Sequence, residues 1–265
     1  MAHHKFFIFF CVFITLFSWT IRISYATVIR GGQLTGAVIS GTAPTLTGPC
    51  VGQAVGYQIA SGPICAGTYT YGTGKEWNYM VTPGGCQDSN CTIGNGGVDN
   101  QHMAWASHNM TYTPPNLISG HSVTTGADDY EDGKSNTLIL TVTTPKTTFD
   151  NGQYVTSPPY YIDTKAAQWC TAMGASNYGG YNDWYLPSLA ELFYVLYLNS
   201  TLCVTNSYGT CNSPHPLTGF ASSLYWSSTE SNTVSARRVN FTNGSQNNSV
   251  SKTNTNAYVR CVRRY

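Results

Sequence analysis

Gly180-Tyr181-Asn182-Asp183-Trp184-Tyr185-Leu186-Pro187-Ser188-Leu189-Ala190-Glu191-Leu192 joins an aromatic turn to the start of a helix. Ser188 and Glu191 stand at capping-box spacing, where the hydroxyl and the carboxylate each accept a backbone N–H from the other residue. Pro187 precedes the box, and Leu192, Val195, Leu196 and Tyr197 give the helix its apolar positions. Asp183, Trp184 and Pro187 read as core anchors, together with Trp226 further on. A buried indole gains from burial but needs a partner for its N–H. Asp183 is expected to bond backbone amides or an arginine. Glu191 is expected to cap the helix before it acts as an acid.

Upstream, Asp163 or Thr164 is placed to cap a helix running to about Met173, with Ala166, Trp169, Cys170 and Met173 on one face. Residues 138–142, Leu-Ile-Leu-Thr-Val, read as a buried strand. Residues 50–112 combine four cysteines with many glycines and read as short strands and turns. Downstream, residues 203–211 enclose a polar loop. Strands are expected over 224–228, 236–241 and 257–262, with Asn243-Gly244 as a hairpin turn.

At the other end, Lys5 precedes an apolar run over residues 6–19, shorter than the ~20 residues that a spanning helix needs. Ser24-Tyr25-Ala26 offers small residues before Thr27. Residues 1–26 therefore read as a cleavable secretory signal peptide, and the mature chain is expected to be secreted, at the cell surface or periplasmic. Residues 27–49 are rich in Gly and Thr and read as a linker or an edge strand; residues 50–265 form the domain. Removing Lys5 and Arg22 with the leader takes the formal charge from +1 to −1, so no general attraction to nucleic acid is expected. Of the 9 cysteines, Cys11 falls in the leader, which leaves an even set for pairing in an oxidising compartment. No Cys-x-x-Cys occurs and no histidine sits at ligand spacing to a cysteine, so no metal site is expected.

The second half resembles the bacterial DUF1566 (Lcl C-terminal-like) domain family. The stretch 180–192 is similar to its "DW-LP-S-x-x-EL" signature and Tyr225-Trp226-Ser227-Ser228-Thr229 to its "YWSST" strand. Tyr258-Val259-Arg260-Cys261-Val262-Arg263 resembles its "VRCVR" end. Gly133-Lys134-Ser135-Asn136-Thr137 and Ala166-Ala167-Gln168-Trp169-Cys170 resemble two upstream elements. The resemblance implies an α+β, C-type lectin-like domain: two helices against a small twisted antiparallel sheet, loop-rich and disulfide-stapled. It also implies the pairs Cys170–Cys261 and Cys203–Cys211; Cys50–Cys65 and Cys86–Cys91 are added by proximity.

Charge is unevenly placed. No acidic residue follows Glu230, whereas Arg237, Arg238, Lys252, Arg260, Arg263 and Arg264 all do. Arginine suits bidentate contact with carboxylate and sulfate. Arg260 and Arg263 are expected to pair inside the domain with Asp183, Glu191 or Asp163. Arg237, Arg238, Lys252 and Arg264 are the candidate ligand-binding cations, and Tyr225 and Tyr258 the candidate rings for stacking on sugar. The acidic loop Asp128-Asp129-Tyr130-Glu131-Asp132 lacks EF-hand spacing and is expected to be solvated rather than to hold calcium. No nucleophile elbow or zincin motif is present, and the cysteines look committed to disulfides, so neither an enzyme nor a cofactor is expected. The expected function is binding, as an adhesin or glycan-binding module whose partner is an acidic polysaccharide or another cell-surface ligand. The alternative is a structural subunit of a surface appendage or a homo-oligomer, joined through residues 27–49.

Overall fold

The computed structural model describes residues 48–60, 62–85, 102–106, 125–141, 164–232 and 234–265. The expected leader, nearly all of the 27–49 segment, Asp163 and the pair Cys86–Cys91 lie outside these residues. The described chain is α+β. Its elements are β1 (Ile64–Thr70), β2 (Glu76–Val81), α1 (Gly133–Thr141), α2 (Lys165–Ala175), a 3-10 turn Tyr178–Gly180, a π-helix Glu191–Tyr197, β3 (Leu224–Glu230), β4 (Ser235–Asn240), β5 (Gln246–Ser251) and β6 (Val262–Arg264). Two antiparallel three-stranded sheets result, ordered β1-β2-β6 and β3-β4-β5.

The stretch around the signature locks these pieces together. Tyr185 exchanges backbone bonds with Val262, and the Leu186 N–H donates to the Thr137 hydroxyl of α1. The Pro187 carbonyl accepts from Ser228 at 2.7 Å and the Leu189 N–H donates to the Thr229 hydroxyl, so the "LP-S" turn is seated on the "SST" of β3. The capping box is closed in both directions: Ser188 N–H to Glu191 Oε2 at 2.8 Å, and Glu191 N–H to Ser188 Oγ at 3.2 Å. The helix that it opens is a π-helix for seven residues, buried except at Tyr194.

Of the strand expected over 138–142, residues 138–141 belong instead to α1, because the Asp132 carboxylate accepts the Ser135 N–H at 2.9 Å and so caps that helix at its start; Val142 lies outside the described residues. Leu140 is buried on that helix, while Leu138 is 68% exposed. Gly133 opens α1 where a Cβ would lie 2.3 Å from the Glu191 carboxylate and from the Ser188 nitrogen, so only glycine fits. In α2, Ala166, Cys170 and Met173 are buried as the spacing predicts, while Trp169 is only half-buried and Ala167 is buried in addition; the Thr164 hydroxyl donates to Leu140 O instead of capping.

The hairpin between β4 and β5 turns at Asn243-Gly244, with Gly244 at φ +77°. Residues 257–261 make only isolated bridges, Ala257 to Met103 and Tyr258 to Tyr225; the continuous strand is β6, paired to β2. Among the described residues three disulfides staple the fold: Cys50–Cys65, Cys170–Cys261 and Cys203–Cys211. Cys170–Cys261 spans 91 residues, a loop whose closure contributes about 4 kcal/mol through the unfolded chain. Three buried indoles donate to carbonyls: Trp105 to Ser227 O, Trp226 to Met103 O and Trp184 to Tyr178 O.

Candidate functional site

Two polar regions stand out, one sealed and one open. In the sealed region, Glu191 is buried where six segments converge. Oε2 accepts the N–H groups of Ser188 and Gly133, the latter at 3.2 Å. Oε1 accepts the Tyr71 and Tyr185 hydroxyls at 2.6 and 2.9 Å. The Tyr79 hydroxyl lies 2.9 Å from both that oxygen and the Tyr71 oxygen. Arg264 completes the group, with Nη1 3.4 Å from Oε1 and bonded to the Tyr71 oxygen, and Nη2 2.8 Å from Asp132. Burial raises the Glu191 pKa, and the Tyr71 hydrogen bond and the other donors pull it only part of the way back. Burial and then the Glu191 charge push the hydroxyls of Tyr71, Tyr79 and Tyr185 above their ordinary range, so they remain donors. Asp132 is lowered instead: burial acts to raise it, and the hydrogen bonds from Arg264 and Ser135 outweigh burial. This cluster aligns α1, the π-helix and the β1-β2-β6 sheet, and both Glu191 oxygens are occupied by protein donors.

The structure corrects three of the residues expected to face a ligand. Lys252 is 0% exposed and ion-paired to Glu230, which also accepts from the Thr125 amide and hydroxyl. Arg264 is buried in the Glu191 cluster. Tyr225 is buried against Phe220 and Phe241, its oxygen accepting the Ala221 N–H. Each was drawn inward by a partner that sequence spacing does not display. Tyr258 is half-buried between His102 and Tyr225. Arg263 grips Asp183 at 2.7 and 3.4 Å, and Lys134 joins at 3.2 Å. Burial acts to raise the Asp183 carboxyl, but these cations hold it below the usual carboxylate range. Arg260 is buried with its guanidinium on the carbonyls of Thr82 and Gly219 and over the Phe220 ring.

Arg237 and Arg238 differ. A register shift between Ala236 and Arg238 interrupts strand alternation in β4, and both arginines are half-exposed. Arg237 lies 4.4 Å over the Tyr130 ring, and Arg238 lies over Trp226 and donates to Asn256 at 2.6 Å. Among the described residues neither has a carboxylate partner.

The acidic loop beside them is exposed at Asp128, Asp129 and Tyr130 and is also internally hydrogen-bonded. Asp129 accepts the N–H groups of Glu131 and Asp132, Glu131 accepts that of Gly72, and Asp132 caps α1. Among the described residues no group of three His, Cys, Asp or Glu side chains is placed to hold a metal ion. A cleft of ≈ 280 Å³ opens between α1, Thr171 and Asp183-Trp184, but the charges at its edge, Lys134 and Asp183, already pair with each other.

Tyr69, Tyr71, Tyr79, Tyr130 and Tyr194 escaped the sequence reading. Thr68-Tyr69-Thr70-Tyr71 carried a usable signal, since alternation places both tyrosines on one side of β1. A family model described as the Lcl C-terminal domain matches residues 99–263. No curated protein and no solved structure matches the chain.

Proposed function

The chain belongs to the Lcl C-terminal domain family, and on that premise we propose that it is a secreted or surface-exposed bacterial binding module of C-type lectin-like fold that holds an acidic glycan through Arg237 and Arg238. Three disulfides fit an oxidising, extracytoplasmic setting, and residues 1–26 read as the means of reaching it. The observation that carries the binding reading is the pairing state of the cations after Glu230. Lys252, Arg263 and Arg264 are neutralised by carboxylates, and Arg260 is buried on carbonyls. Arg237 and Arg238, neighbours at a bulge, lie over aromatic rings and have no carboxylate partner among the described residues. A guanidinium in that state gains from a bidentate carboxylate or sulfate.

The test is retention on immobilised heparin along a salt gradient. The mature protein is retained and elutes with rising salt, and Arg237→Ala/Arg238→Ala elutes markedly earlier. No retention, or retention indifferent to salt, overturns the reading.

A further inference from the structure

Next to Arg237 the surface continues as a row of aromatic side chains. Tyr130, under the Arg237 guanidinium, is 46% exposed. Its chain neighbour Glu131 lies 3.4 Å from the Tyr69 hydroxyl and is held in place by the Gly72 N–H. The Tyr69 ring in turn lies parallel to that of Tyr194, 9° between planes and 5.5 Å between centroids. Tyr194 is 47% exposed on a helix whose other six residues are buried. Contacts thus link Tyr194 to Tyr69 and Tyr69 to Glu131, and the next residue in the chain, Tyr130, carries the Arg237 guanidinium.

The π-helix explains how Tyr194 comes to lie there. π-helices are rare and recur at functional positions. Here Phe193 and Tyr197 stack together in the core at 5.6 Å while Tyr194 alone faces outward against β1. Exposed tyrosines present a large, rigid face with a polar tip, which suits the C–H face of a pyranose ring flanked by hydroxyls. Glu131 accepts hydrogen bonds and repels anions. A densely sulfated chain would therefore meet repulsion at the centre of the row, whereas a neutral sugar there would offer hydroxyl donors.

We infer that this row is an extended subsite for a sparsely charged acidic polysaccharide, with neutral pyranose units on Tyr69 and Tyr194 and an anionic unit at Arg237. The inference rests on the binding reading above and adds the character of the chain that is bound. Hyaluronan oligosaccharides, with one carboxylate per disaccharide, and heparin oligosaccharides of equal length are the probes, titrated calorimetrically against the mature protein.

Tyr69→Ala/Tyr194→Ala weakens hyaluronan about five- to tenfold, with an unchanged salt slope, and leaves heparin unchanged. Tyr194→Phe, which keeps the ring, stays close to wild type, and matching thermal midpoints show that the variants are folded. Glu131→Gln strengthens heparin about two- to threefold, as expected for removing one like charge near a bound anion, and narrows the preference for hyaluronan. Arg237→Ala weakens both probes and flattens both salt slopes. If the tyrosine variant affects both probes equally or neither, or if hyaluronan does not bind, the aromatic subsite is overturned while the arginine reading stands. If Arg237→Ala changes neither probe, the arginine reading itself falls.

Discussion

The Glu191 cluster and the Arg237 row are built from the same three residue types, glutamate, tyrosine and arginine, and they do opposite things with them. At Glu191 every strong donor and acceptor is turned toward another, and no surface is left to offer. Along the row, Tyr130 and Tyr194 are about half exposed and Arg237 has a ring beneath it but, among the described residues, no counter-charge. Closure of a polar network makes it structural; incompleteness makes it available. Residue type therefore says little about role here, and the completeness of the surrounding hydrogen bonds says a great deal.

Substitutions should separate the two regions sharply. Glu191→Gln is the strongest test, because an amide NH2 placed on either side of the group would face protein donors: Gly133 and Ser188 N–H, or Arg264. The cost is about 4 kcal/mol, read as a lower urea midpoint, and a wild-type midpoint would show that the cluster holds nothing together. Lys252→Met leaves Glu230 buried with only the Thr125 and Gly126 donors. It should destabilise by about 3 kcal/mol without altering heparin elution, whereas a shift in elution would return Lys252 to the ligand site.

Acid resolves the cluster further. Asp132 and Asp183 have folded pKa values below their unfolded ones, so the stability they contribute is present above pH ~4 and is lost as pH falls through the depressed folded values. Glu191 is raised, so its protonation acts in the opposite direction. Asp183→Asn should make the fall in urea midpoint below pH 4 shallower, and an unchanged slope would mean that its ion pairs are not what acid breaks. At the small end, Arg237→Ala/Arg238→Ala should shift stability by under ~0.5 kcal/mol, although it abolishes most salt-dependent retention. A large loss of stability would place these residues with the closed network instead.

The parts of this fold that were legible in the sequence are those whose signals are local. The Ser188–Glu191 box, the buried face of α2 and the Asn243-Gly244 turn each declare themselves within a few residues. The π-helix does not, because an apolar run fixes neither hydrogen-bond spacing nor which tyrosine points out. Residues 138–142 looked like a strand by composition, yet the Asp132 cap starts a helix upstream and the Thr137 hydroxyl ties that helix to Leu186. β5 was hidden because its Gln-Asn-Asn-Ser sequence has low strand propensity; it forms as the return arm of the hairpin. The misplaced cations have one cause. Lys252 meets Glu230 across 22 residues and Arg264 meets Asp132 across 132, distances at which charge pattern carries no pairing information.

The strand that completes the β1-β2 sheet, the arginine that reaches Glu191 and the cysteine that staples α2 all lie within residues 261–264, nearly two hundred positions after the strands they complete. The tyrosine beside them, Tyr265, accepts the Cys50 N–H through its hydroxyl at 2.6 Å. A chain that stops short of these residues lacks a strand of its sheet, a cation of its buried cluster and a staple of α2 all at once.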